Sequence, residues 1–111
     1  MNDDNMKAFC LFLLSGSKGQ VMHILKNITK EQMQIILEIT FNIVHNNLTI
    51  STKDRNEMGK YKNIVRKILT PNINWSLRKT LLWKIRSLLP IIAKNYLSHV
   101  KRTDFNTQEK I

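Results

Sequence analysis

The stretch Thr29-Lys30-Glu31-Gln32-Met33-Gln34-Ile35-Ile36-Leu37-Glu38-Ile39-Thr40-Phe41-Asn42-Ile43-Val44-His45 decides the fold class. It opens on a capping box: the Thr29 hydroxyl is placed to accept from the Gln32 amide while the Gln32 side chain reaches back. Glu31, Gln34, Glu38, Asn42 and His45 then recur every three or four residues as one narrow polar stripe. Met33, Ile35, Ile36, Leu37, Ile39, Phe41, Ile43 and Val44 fill the rest of the wheel. A helix over 30–45 that is apolar on most of its circumference belongs at the centre of a core or in an oligomer interface.

Working outward, Asn46-Asn47 tolerates left-handed backbone and stops this helix. Ser51 with Asp54 then gives a second, weaker cap. Met58, Tyr61, Val65 and Ile68, with Ile64 and Leu69, fall at helical spacing and predict a helix over 52–69. Gly59 costs such a helix about 1 kcal/mol relative to Ala, which marks either close packing or a weak point. Thr70-Pro71 breaks the chain. Asn74 or Ser76 caps a further helix over 76–89, whose seam is Leu77, Leu81, Ile85, Leu88 and Ile92, widened by Trp75, Leu82, Trp83 and Leu89. Pro90 is expected to kink it or to restart it as the first residue of a further turn through Tyr96 and Val100. Upstream, Gln20 to Lys26 carries one or two helical turns, and Ser15 to Gly19 is the only flexible-looking stretch. Residues 6–14 read as a short helix or an arm.

These elements predict an all-α protein, a small bundle of four or five helices, with 30–45 at its centre and 52–69 and 76–89 packed against it. The organisation expected is an N-terminal arm or short helix over 1–19, a helical domain over 20–100 and a polar tail over 101–111. A chain of 111 residues with 42% hydrophobic side chains has room for one small core and not for an enzyme's deep cleft.

Cysteine and histidine usage narrows the function. A single Cys10 excludes an internal disulfide, and one Cys with His23, His45 and His99 scattered along the chain gives no zinc spacing. No phosphate loop, dinucleotide fingerprint or nucleophile elbow occurs, so neither catalytic residues nor cofactors are expected. The three Asn-x-Ser/Thr triplets at Asn27, Asn47 and Asn74 read as helix caps. An acidic start at Asp3-Asp4 does not fit a signal peptide, and no apolar run nears the ~20 residues of a membrane span. The expected location is intracellular, in a nucleus or a virion.

Charge supplies the functional signal. The chain carries 18 Lys and Arg against 8 Asp and Glu, a net +10. Residues 1–52 sum to zero, residues 53–86 to +8 and residues 87–111 to +2. A face built for solubility alone would mix both signs, so the middle block points to an anionic partner. Lys60, Lys62, Arg66, Lys67, Arg78, Lys79, Lys84 and Arg86 are the candidate contacts to a phosphate backbone, neutralising charge without reading bases. A helix-turn-helix reader fits less well: residues 46–51 exceed the three- or four-residue turn, and the basic helix opens without a base-reading set. The alternatives are an oligomerising module using the apolar faces 33–44 and 81–92, and an anionic membrane surface met by Trp75, Trp83 and Tyr96.

A resemblance adds to this reading. Gln32, Glu38-Ile39, Asn42-Ile43-Val44-His45-Asn46-Asn47, Ile50-Ser51, Lys53-Asp54-Arg55, Met58, Tyr61-Lys62 and Ile64-Val65-Arg66-Lys67-Ile68-Leu69 form a pattern that resembles short basic helical proteins. That family is encoded by Maverick/Polinton-type elements and adintovirus-like viruses of animals. Beyond it, Trp75 to Arg86 and Ser87-Leu88-Leu89-Pro90-Ile91-Ile92-Ala93 stand where adenovirus-type core peptides carry a basic cluster and a Leu-Pro apolar stretch. The resemblance spans residues 28–93 and implies a virion-associated or genome-packaging role. The Gly-Gly expected before the Leu-Pro stretch is absent, and Trp75 and Trp83 interrupt the basic run. Those two departures point the C-terminal part toward folding instead of condensation.

Overall fold

The computed structural model describes residues 3–98. The expected polar tail 101–111, and the turn reaching His99 and Val100, lie outside the described residues. The chain is all-α: α1 (Asp3–Ser15), α2 (Lys18–Lys26), α3 (Lys30–Val44), α4 (Thr52–Gly59), α5 (Lys62–Ile68) and α6 (Trp75–Lys84) precede a 3-10 turn at Arg86–Leu88. A last helix, α7, covers 89–98. The helices therefore outnumber the four or five expected, because two long ones are each broken.

The first break replaces the helix predicted over 52–69. α4 stops at Gly59, Tyr61 sits at φ −113° and ψ 21°, and α5 restarts at Lys62. A Cβ built on Gly59 would meet nothing within 4 Å, so this glycine is the weak point of the segment and not a close-packing site. The second break falls at Ile85, ahead of Pro90. In an unbroken helix the proline ring would strike the Arg86 carbonyl four residues back. The 3-10 turn resolves this by putting Pro90 in the first turn of α7, where its missing N–H costs nothing.

Caps explain the remaining boundaries. Thr29 and Gln32 form the expected reciprocal box, at 3.1 and 3.0 Å. Ser17 and Gln20 form another, at 3.2 and 2.8 Å, so Ser15 to Gly19 is not a flexible stretch but a tight passage between α1 and α2. Asn74 Oδ1 accepts from the Ser76 and Leu77 amides and caps α6. Asn46 ends α3 at φ 61°.

The centre of the core also differs from expectation. α3 buries one face, Met33, Ile36, Ile39, Thr40 and Ile43, and the Thr40 hydroxyl is satisfied by the Ile36 carbonyl at 2.6 Å. Phe41 and Val44 on the same helix stay 47% and 42% exposed. The densest burial is instead in 81–96, where Leu82, Ile85, Leu88, Leu89 and Ala93 have no exposed surface. α6 packs on α2 and α5, and α1 on α2. α1 adds Met6, Phe9, Cys10 and Leu13 to the same core. Leu77, expected on the buried seam, is 38% exposed because that seam begins only at Leu81.

Two contrasts test this packing by chemical denaturation. Leu88→Ala is expected to cost about 2–5 kcal/mol, as for fully buried leucines, and Leu77→Ala under about 1 kcal/mol. Gly59→Ala is expected to raise stability by about 0.4–1 kcal/mol, since the site is helical and open. Gly16→Ala is expected to lower it, because the added Cβ would lie 2.5 Å from the Phe12 carbonyl oxygen, which accepts the Gly16 amide.

Candidate nucleic-acid interface

The basic block is built on short helices whose apolar sides are turned inward. Ser51 caps α4 through the Asp54 amide at 3.1 Å, and Met58 buries the inner side of that helix. Val65 and Ile68 do the same for α5, which leaves Lys62, Arg66 and Lys67 outside. Arg66 and Lys67 stand in the last turn of α5, where the helix dipole favours positive charge. Lys94 of α7 reaches across to Asp54 at 2.8 Å and locks α4 to the C-terminal helix. That hydrogen bond holds the Asp54 carboxyl below the usual carboxylate range.

The eight candidate residues divide into two groups. Lys62, Arg66, Lys67 and Lys84 are exposed, and their side chains make no hydrogen bond or ion pair to another described residue. Lys60 is exposed but paired with Glu57 at 2.9 Å, and this contact raises its ammonium above the ordinary range. The other three act inside the fold. Arg78 donates from Nε to the Ile68 carbonyl at 3.0 Å and from Nη2 to the Thr70 carbonyl at 2.6 Å, closing the C-terminal end of α5. Lys79 donates to the Lys26 carbonyl at 2.6 Å and closes the end of α2. Arg86 donates to the Trp83 carbonyl at 3.0 Å and lies over the indole at 4.3 Å.

The cations are also spread over separate places. Lys62 and Arg66 line a groove of about 330 Å³ between α3 and the α4–α5 break, together with Arg55. Lys84 and Arg86 line another, of about 360 Å³, beside Lys18 and Pro90. Lys79 and Lys26 flank a third next to Trp83. Lys53 and Arg55, outside the eight candidates, are exposed as well. The signal for Arg55 was present: Arg55, Lys62 and Arg66 stand seven and four residues apart, a one-face helical spacing.

Of the aromatics expected at a membrane surface, Tyr96 is buried and Trp83 is half-buried under Arg86, while Trp75 is exposed. Among the described residues no helix is long and apolar enough to cross a membrane. The face 81–92, expected as a contact surface, is interior. Cys10 is buried on α1, and desolvation pushes its thiol up to about 12. Compared with family models, curated proteins and solved structures, the chain matches none.

The Asp54–Lys94 bridge sets a pH dependence. A lowered carboxyl pKa adds stability above the unfolded value of 3.8, and that contribution is lost as pH falls through the folded value. Lys94→Met is expected to lower stability by under about 1 kcal/mol at neutral pH, because the lysine is largely exposed. In urea unfolding, the difference from the unaltered protein should close as the carboxyl becomes protonated.

Proposed function

We propose that this protein is a non-catalytic module that binds nucleic acid through the phosphate backbone with little sequence specificity. The observation that carries the reading is that Lys53, Arg55, Lys62, Arg66 and Lys67 of α4 and α5 are all exposed and without an ion-pair partner among the described residues, with Arg55, Lys62 and Arg66 brought to one groove. Free ammonium and guanidinium groups release condensed counterions when they meet phosphates, whereas groups held on carbonyls keep their charge but are tied in place. Arg78, Lys79 and Arg86 therefore shape the domain, and the ligand-binding charge is concentrated on α4–α5 with Lys84 nearby in sequence to the capping residues. The resemblance of residues 28–93 to proteins of Maverick/Polinton-type elements and adintovirus-like viruses supports a place in a virion or in genome packaging, in a nucleus or particle. An anionic membrane surface is a weaker partner for the same cations, since of Trp75, Trp83 and Tyr96 only Trp75 is exposed.

A second reading is self-association. It is favoured by the outer side of α1, where Leu11 and Phe12 are 54% and 51% exposed.

The deciding experiment is binding of a random labelled duplex by fluorescence anisotropy at several salt concentrations, with the mass of the free protein measured in the same buffers. Five phosphate contacts predict a slope of log affinity on log salt near about −4 to −5. Replacing Lys62, Arg66 and Lys67 together by Gln should reduce that slope by roughly 3. Arg78→Gln should instead lower stability by about 1–3 kcal/mol and leave the slope alone. An unchanged slope in the triple variant sinks the proposal, and a stable oligomer indifferent to DNA would replace it with self-association.

A further inference from the structure

The groove between α3 and the α4–α5 break has a composition that phosphate binding does not explain. Its floor is Ile43, Val44, Ile50, Met58, Val65 and Leu69, wholly aliphatic apart from one thioether. Its rim carries Arg55, Lys62 and Arg66, and no acidic residue lines it. Single-stranded bases are held by stacking on aromatic rings, and this floor offers none. A backbone phosphate would use the rim and leave the floor empty.

We propose that this groove binds an amphipathic helix with an apolar face and acidic flanks, supplied by a partner protein. Three features select that occupant. Aliphatic and methionine-lined grooves accept the i, i+3, i+4, i+7 anchors of a helix, and a flexible thioether adapts to their shape. The volume, about 330 Å³, lies at the small end of ligand pockets, which suits about two anchor side chains better than a whole drug-sized molecule. The rim is uniformly cationic, so Glu or Asp beside the anchors meets charge complementarity on the side where Arg55, Lys62 and Arg66 stand.

The apolar surface continues past the groove. Val44 is 42% exposed and Phe41, one turn earlier on α3, is 47% exposed with its ring stacked on His45 at 3.9 Å. Gly59 lines the groove where a side chain would have narrowed it, and the space above its Cα is open. The inference is independent of the nucleic-acid reading. Because Lys62 and Arg66 serve both, the acidic helix and a duplex compete for the protein where both bind.

The test uses the full chain and a fluorescein-labelled synthetic peptide of about 16 residues, with Leu at i, i+3, i+4 and i+7 and Glu on either side. A peptide of identical composition with scattered leucines is the control. The patterned peptide should bind at least about tenfold more tightly than the control at ~0.15 M salt, where attraction between exposed charges beyond about 8 Å is largely screened. Val44→Gln, at a partly exposed position that tolerates the change, should weaken peptide binding about fivefold or more and leave duplex affinity unchanged. Arg66→Gln should weaken both ligands. Peptide binding without duplex binding supports the groove and overturns only the nucleic-acid proposal. Equal binding of the two peptides, or a Val44→Gln variant that binds as before, overturns the groove. So does Val44-dependent binding of anionic vesicles with no binding of the patterned peptide.

Discussion

Residues 81–96 bury nine of their sixteen side chains, and the other helices are positioned by what they lay against that run. A chain this short has few residues to enclose a core, so one segment must be apolar on nearly every side. α6 could not continue straight into it, because Pro90 would have met the carbonyl of Arg86. The break at Ile85 turns the chain between α6 and α7 and lets both sides of the segment face inward. The long amphipathic helix suggested by the sequence is thereby exchanged for two shorter ones with a common interior.

Short helices carry a cost of their own, because every helix end presents carbonyls with no partner in its own ladder. Here some of those ends are closed by cations from distant parts of the chain. Arg78 holds the end of α5, and Lys79 reaches across 53 residues to the end of α2. Charge that looks available for a ligand is thus partly committed to holding the fold. Those bonds leave the net +8 of residues 53–86 in place but fix Arg78 and Lys79 on carbonyls, so the cations free to move onto a ligand are fewer than the charge suggests. Three of those cations, Arg55, Lys62 and Arg66, line an apolar groove.

Trp83, one of the two tryptophans in the basic run, has a structural place. Trp83 lies beneath Arg86 and beside the core, and the Leu-Pro stretch is the most buried part of the protein. In this chain Trp83 and the Leu-Pro stretch help close the domain.

Caps and periodicity were legible because they are local. Thr29 with Gln32, Ser51 with Asp54, and Asn74 with Ser76 act over two or three residues, so their pattern survives without knowledge of the fold. Ser17 with Gln20 carried the same signature and was obscured by the glycines on either side. The all-α class followed from such signals, and so did the α3 helix and the cationic character of the middle of the chain. Which cations are free did not follow, since Arg78, Lys79 and Arg86 differ from Lys62, Arg66 and Lys67 only by the carbonyls that tertiary packing brings within reach. The exposed side of α3 was equally hidden, because an apolar wheel does not say which of its faces a small core has room to cover. The sequence by itself determined helices, caps and the sign of the charge, all set by neighbours in the chain; the tertiary structure alone decided which charges and which apolar faces remain for a partner.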